Sequence, residues 1–527
     1  MRSCDDKHSL CKVQSTFIPT RLLKLHTSGG VRSFRLALRE EIEPGSKYLA
    51  LSHCWGDKSW DLDLTLRAST LTELSRGKPL SCLPRTFKDA FVALERLGLQ
   101  YIWIDRLCIF QDSEADWSQE SSSMHQVFKS AFLCIAALGA ENDEGGLYFQ
   151  RVPKDIKPTV IDLSLFGTPD SYVNEWEIFL LHQKSLDHAT LCKRAWILQE
   201  RVLSPRTIYW GKQQVLWECH EMHCSESQPD ADWFGASWTR QEDLQSRGPS
   251  NHQPAFKYLM PQWPGSPSRG PELHYRQWRE LLGYYTKCQL TKSRDKLVAI
   301  SAIAKETRSF LGALGEETRY LAGIWEAELP EALAWRVHPD SICGRRPVDY
   351  RAPSWSWAAV DGEIMGCIKP PDGNSLAEVM SAETTPLTDD ETGQVTEGAI
   401  TLQAIVLPAT VDDVYSCPEW YRRMKAIPSR QVTLSSFHEP GLQAIYGSMI
   451  ESMAQAWVHF DTYDDICAEI QFVPLYMRWF LSIWGLALVP GEGGFRRVGV
   501  IQVKIPTDKQ AALAFIGQLP RQSVVIR

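Results

Sequence analysis

Apolar positions along the 527-residue chain fall into short compact runs separated by helical stripes. Tyr48-Leu49-Ala50-Leu51 is an unbroken apolar run ending at Ser52, the length of a buried strand. Thr86 opens a stretch in which Phe87, Ala90, Phe91, Leu94 and Leu97 share one helical face. Asp89 stands where a capping box wants an acid, and Gly98 where a helix stops. Tyr101-Ile102-Trp103-Ile104 then repeats the strand pattern and ends at Asp105. Strand, helix and strand in that order predict a parallel crossover. Met124, Val127, Phe128 and Ala131 share a second helical face, and Phe132 to Ala137 is a third apolar run. The alternation implies an α/β sheet with parallel strands. Glu177 to Leu181 reads as a further strand, Ala195 to Leu203 as a helix ended by Pro205, and Arg206 to Trp210 and Val215 to Cys219 as two more short strands.

Outside this region the pattern changes. Residues 1–45, with the mixed segment PTRLLKLH, read as an N-terminal extension packed onto the main body. The α/β domain spans 46–226, and the proline-interrupted stretch 227–274 reads as an irregular connection. Residues 275–527 read as a mixed α+β region. Trp278 to Leu290 and Asp295 to Glu306 are predicted helices, and the chain alternates like strands after Ala399. Gly485 to Pro490 and Val498 to Val503 form a hairpin about a Gly-rich turn, and the acidic stretch 370–398 is expected to be a surface loop.

Composition narrows the function classes. With 44% apolar and 23% charged residues the chain builds a sizeable core. Its net charge of −8 offers no positive field for a phosphate backbone, so no nucleic-acid partner is expected. Twenty Trp favour aromatic-lined pockets or interfaces. Fourteen Cys with no apolar leader imply a reducing compartment and a cytoplasmic protein. The longest uncharged apolar stretch, Trp479 to Pro490, is too short to span a bilayer and reads as a buried strand, so no membrane span is expected.

Ligands of open α/β sheets sit beyond the carboxyl ends of the strands. Ser52-His53-Cys54-Trp55-Gly56 and Asp105-Arg106-Leu107-Cys108 both follow predicted strands, so they are expected to lie near one another. His53 and Asp105 suit acid–base work, with Ser52, Cys54, Trp55, Arg106 and Cys108 as candidate substrate-binding groups. The alternative is structural: Ser52 and Asp105 satisfy loop amides, Trp55 packs under the sheet, and the cysteines are core thiols. The segment CHEMHC (219–224) carries metal-ligand types, yet strand alternation sends neighbours to opposite faces, so no metal site is assigned. Gly145-Gly146 lacks any phosphate-loop context, and Gly139 to Gly146 reads as a loop that needs permissive backbone. No resident cofactor is expected; NAD would enter only as a consumed substrate.

YLALSHCWG (48–56), LPRTFKDAF (83–91), LGLQYIWIDRLCIFQD (97–112), AALGAENDEGGLYFQR (136–151) and RAWILQERVLSPR (194–206) with WEC (217–219) resemble, in order, the fungal heterokaryon incompatibility (HET) domain. Downstream, LTKSRDKLVAISAIA (290–304), YLAGIW (320–325) and RAPSWSWAAVDG (351–362) resemble the extended body of such proteins. HET domains are in turn distantly similar to Toll/interleukin-1 receptor (TIR) domains. The implied fold is therefore a TIR-like, flavodoxin-like parallel sheet with flanking helices, followed by the mixed C-terminal region. The resemblance implies a part in heterokaryon incompatibility and regulated cell death. The TIR link implies NAD hydrolysis by a helix-borne glutamate, which makes Glu200 the lead catalytic candidate and Trp196, four residues earlier, a ring-stacking group. The competing reading pairs Glu200 with Arg194 or Arg201. Two other functions stand beside this one: a small-molecule biosynthetic enzyme using His, Asp and Glu chemistry, and a non-enzymatic module that binds a protein partner or self-assembles.

Overall fold

A computed structural model describes residues 1–12, 16–56, 64–152, 186, 189–227, 229, 270–338, 341, 344–367, 375–412, 430–434, 456–478, 482–504 and 516–527. The chain divides into two compact units, Met1–Pro267 and Ser268–Arg527. The expected strand at 177–181 and most of the proline-rich connection lie outside the described residues.

The first unit is built on one nine-stranded sheet. Its elements are α1 (Arg2–Lys7), β1 (Arg21–Ser28), β2 (Val31–Leu38), β3 (Tyr48–Ser52), α2 (Leu71–Arg76), β4 (Lys78–Pro79), α3 (Arg85–Arg96), β5 (Tyr101–Trp103), α4 (Asp105–Cys108), α5 (Glu114–Ser130), β6 (Leu133–Ala136), α6 (Ile197–Leu203), β7 (Arg206–Trp210), β8 (Val215–Cys219) and β9 (His223–Ser225). The strand order is β4-β2-β1-β5-β3-β6-β7-β8-β9. At its centre β5, β3, β6 and β7 run parallel. Every residue of β3, β5 and β6 is buried, which is why these strands read as unbroken apolar runs rather than alternations.

Taken in chain order, the parallel strands β3, β5, β6 and β7 sit as second, first, third and fourth, the flavodoxin-type arrangement. The order reverses between β3 and β6, so the chain leaves their carboxyl ends in opposite directions, the place where open α/β sheets bind ligands. Antiparallel strands flank this core: β1 and β2 beyond β5, β8 and β9 beyond β7. Residues 1–45 are therefore more than an extension laid on the main body. Their Leu22, Leu23, Phe34 and Leu36 enter the same core as β3 and β5, because an alternating two-stranded ribbon can complete a sheet edge that no helix covers.

The Asp89 capping box is also corrected. α3 begins after Pro84 with no side-chain cap, and the side chains of Thr86 and Asp89 instead hold the loop after β6.

In the second unit, helices α7 (Pro271–Lys287) and α8 (Val298–Ala313) precede a predominantly antiparallel sheet. Strands Gly494–Lys504, Ala456–Phe460, Arg430–Leu434, Leu407–Val411, Glu469–Arg478 and Ser482–Gly491 pair in turn, and the last pairs again with the first, closing a ring. The expected hairpin across Gly491 to Gly494 is part of this ring. The stretch expected as a surface loop holds a strand instead, Glu378–Pro386, at the sheet's open edge. With one partner strand and mostly solvent-facing side chains, an edge strand tolerates the acidic, proline-containing composition that suggested a loop. Among the described residues no helix is long and apolar enough to cross a membrane.

Candidate functional site

β3 and β6 finish level with one another, Ser52 beside Ala136, and Ala137 N–H donates to the Ser52 carbonyl at 2.9 Å. Beyond these ends the chain turns twice toward one point. His53 follows β3 directly and is buried, its ring edge-on to Phe87 of α3 with centroids 5.0 Å apart. The second contributor is Asp143, fully buried in the loop after β6.

That loop is held from α3. Thr86 N–H donates to the Asp143 carbonyl at 2.8 Å, Gly146 N–H to Thr86 Oγ1 at 3.0 Å, and Leu147 N–H to Asp89 Oδ2 at 2.7 Å. Gly146 turns with φ +78°, and a Cβ there would stand 2.7 Å from Arg85 Nε and 2.8 Å from Asp89 Oδ2. Only glycine permits both the left-handed turn and the close approach.

Around His53 the charges are arranged in a shell. His53 Nε2 lies 3.1 Å from Asp143 Oδ1 and 3.8 Å from Asp105 Oδ1. The closer contact is at ion-pair distance when the imidazole carries its proton; both atoms are buried and neither meets hydrogen-bond geometry with a partner among the described residues. Arg106 Nη1 donates to the other Asp143 oxygen at 2.7 Å, and Arg106 Nε to Thr65 Oγ1 at 3.3 Å. Asp105 is the most open member at 23% exposure. It accepts from Trp55 Nε1 at 2.9 Å and from Arg106 N–H at 2.6 Å, so Trp55 works from the rim of the cluster and not beneath the sheet. Burial by itself would push the His53 imidazolium down, but Asp105 and Asp143 outweigh it and hold His53 above its ordinary value.

Glu200 enters from α6 and is 6% exposed. The competing ion-pair reading fails: Arg201 Nε goes to Glu218 Oε2 at 2.9 Å, and Arg194 Nη1 donates to the His53 carbonyl. Glu200 makes no ion pair among the described residues. Burial raises its carboxyl above the usual range; Arg194 and the Ser52 hydroxyl pull against that and are outweighed. Ser52 Oγ approaches without completing a hydrogen bond, for Ser52 Oγ and Glu200 Oε2 are both buried and unpartnered. Asp105 and His53 also act on Glu200, which places its carboxyl in the field of the same cluster.

The structure thus brings together Ser52, His53, Trp55, Asp105, Arg106 and Glu200. The cysteines fall elsewhere in role. Cys54 packs with Ala136, Leu138 and Ile197, and burial pushes its thiol up to about 11. Cys108 lies in the main core, its thiol pushed up to about 12. Trp196 is half-buried at the start of α6, edge-on to Trp117 of α5 with centroids 6.4 Å apart. Sequence reasoning missed Asp143 and the role of Arg194. The strand-end logic that found His53 and Asp105 would have found Asp143 had it been applied to the third apolar run.

Buried acceptors and donors without a hydrogen-bond partner among the described residues, gathered beyond the ends of β3 and β6, suit proton transfer and stabilisation of a developing positive charge. Among the described residues, the group of side chains close enough to hold a metal ion is not this one but Cys4, His8, Cys11 and Cys219.

Comparison with known proteins bears on the same stretch of chain. Residues 48–200 match the family model "Heterokaryon incompatibility protein (HET)". The chain is also 22% identical over 211 residues to "Heterokaryon incompatibility protein 6, OR allele" of Neurospora crassa, a match covering 38% of this chain and 28% of that protein. The matched region is thus well under a third of the relative's length. No solved structure matches. The matched residues begin at β3 and end at Glu200, enclosing the whole cluster, and on this ground residues 48–200 are similar to the heterokaryon incompatibility domain.

Proposed function

We propose that this protein acts in heterokaryon incompatibility, as an intracellular effector of regulated cell death, by hydrolysing the nicotinamide–ribose bond of NAD. The observation that carries this reading is the Glu200 carboxyl, buried and free of any ion pair among the described residues, in the same electrostatic field as His53 and Asp105. A carboxyl paired to arginine would be spent; one held above its usual range beside His53 and Asp105 is suited to exchanging a proton.

In the reaction the C–N glycosidic bond breaks and its electron pair leaves with nicotinamide. The ribose passes through an oxocarbenium-like state, which the Glu200 carboxylate stabilises. Water adds to the anomeric carbon and gives its proton to Glu200, so that NAD and water yield ADP-ribose, nicotinamide and a proton. His53, between Asp105 and Asp143, orients the ribose hydroxyls, and Trp55 supplies an aromatic edge at the open side. Cys54 and Cys108, as buried thiols, take no step.

The test is nicotinamide release from NAD by the purified full chain, followed by chromatography. The reading expects release by the parent and a loss of at least about a hundredfold in Glu200→Gln, the scale of a lost acid–base group. NAD left intact at high enzyme concentration, or equal rates for parent and Glu200→Gln, overturns it.

A further inference from the structure

The N-terminal residues bring a second chemical cluster to the far edge of the first unit. Cys4 lies on α1, His8 caps the end of that helix with its N–H on the Cys4 carbonyl at 3.1 Å, and Cys11 follows in the next turn. Spaced four residues apart, Cys4 and His8 share one helical face. The fourth member, Cys219, ends β8 more than two hundred residues later. One ligand atom from each, three sulfurs and an imidazole nitrogen, all lie within 4.8 Å of one another. Cys219 Sγ and His8 Nδ1 are 3.4 Å apart.

Three thiols and an imidazole at this spacing are the donor set of a tetrahedral Cys3His zinc centre. With Zn–S near 2.3 Å and Zn–N near 2.0 Å, the edges of such a tetrahedron are about 3.5–3.8 Å, so small side-chain rotations complete it. We propose that Cys4, His8, Cys11 and Cys219 form a structural Zn2+ site that clasps the N-terminal segment to β8.

The surroundings fit a closed structural site. All three thiols are buried, and the half-buried Trp217 and Met222 pack over them. Arg206, itself buried, donates from Nε to Cys4 Sγ at 3.2 Å and from Nη2 to Asp5 Oδ1 at 2.5 Å. Binding replaces three S–H protons by three S–Zn bonds and leaves the centre with a charge of −1, which the adjacent guanidinium offsets. The opposing segment is fixed in place by Cys219 N–H on the Met222 carbonyl at 2.9 Å and by Leu10 N–H on Glu221 Oε1 at 2.7 Å. Within 219–224, only Cys219 belongs to the cluster; His223 lies 3.8 Å from Glu218 instead.

The purified full chain should carry one zinc per molecule by elemental analysis. Stripped with a chelator and titrated with Co2+, it should show the thiolate-to-cobalt absorption and the visible bands of a tetrahedral, sulfur-rich centre. Cys11→Ser and His8→Ala should each lower the zinc content, whereas Cys82→Ser, which removes an exposed thiol elsewhere, should not. Because the parent's metal content and cobalt spectrum stand alone, a variant that fails to fold does not shield the proposal. It is overturned if the parent carries no zinc and gives no cobalt spectrum, if mass analysis finds Cys4, Cys11 or Cys219 joined in a disulfide, or if Cys82→Ser loses as much metal as Cys11→Ser.

Discussion

His53 Nε2 and Asp143 Oδ1 stand 3.1 Å apart in the interior, brought together from the ends of two neighbouring parallel strands. Asp143 is shared, for its other oxygen takes Arg106 at 2.7 Å. One carboxylate therefore faces both the buried imidazole and the buried guanidinium.

Removing that carboxylate takes a buried, 2.7 Å ion-pair partner away from Arg106. Asp143→Ala is expected to cost about 3–5 kcal/mol of the first unit's stability, the scale of a broken buried pair. Urea denaturation measures it. A loss below about 1 kcal/mol would mean that the pair does not hold the loop. In the folded variant the His53 imidazole should titrate at lower pH than in the parent, read from its NMR signal.

The acid–base groups also set how stability follows pH. The folded value of His53 is raised above the ordinary 6.5, so its contribution is whole below that pH and is lost as pH rises through the folded value. Glu200 is raised above its ordinary 4.5, so the folded state holds its proton more tightly than the unfolded chain and stability again falls as pH climbs from there. Both act in one direction. The first unit should weaken from about pH 4.5 upward through neutrality, and Glu200→Gln should flatten the lower part of that slope. Denaturant midpoints across pH would reveal it; an unchanged slope in the variant contradicts the raised carboxyl.

Lys296 in the second unit behaves oppositely. Burial, aided by the Arg351 charge, pushes its ammonium down to about 7 from 10.5, while Nζ donates to the Val360 carbonyl. The unfolded chain binds the extra proton between those values, so this group makes stability rise with pH from about 7 to 10.5. Lys296→Met should abolish that rise, as thermal unfolding of the second unit would show.

Gly146→Ala is expected to destabilise by more than about 1 kcal/mol, since alanine resists a left-handed turn and its methyl meets Arg85 and Asp89. The displaced loop carries Asp143. Nicotinamide release, where the parent shows it, should fall with stability; a fully active, fully stable variant would detach the loop from the site.

Cys54→Ala separates thiol chemistry from carboxyl chemistry. With the Cys54 thiol pushed up to about 11 by burial, little thiolate exists at neutral pH. The variant should keep nicotinamide release within about threefold while losing some core packing. A total loss in a folded protein would assign the step to sulfur.

Much of this was legible in the chain because burial on both faces writes itself as unbroken apolar runs, as in Tyr48–Leu51 and Tyr101–Ile104. The half-buried ribbon of β1 and β2 alternates less clearly, and the acidic edge strand Glu378–Pro386 reads as a loop, since an edge needs few apolar side chains. His53 and Asp105 could be picked out as individual candidates from strand ends, and Glu200 from the resemblance to TIR domains. Their grouping with Asp143 and Arg194 could not.

By itself the sequence determined the alternating layers, the strand ends that bear chemistry and the kinship with heterokaryon incompatibility domains, because periodicity and short ordered strings are local properties. Only the tertiary structure decided that Arg201 turns to Glu218 and leaves Glu200 without an ion pair among the described residues, that Asp143 faces His53, and that Cys219 meets Cys4, His8 and Cys11. Each of those choices is made by packing between segments far apart in the chain, where the cost of a buried unpaired charge, not the identity of sequence neighbours, selects the partner.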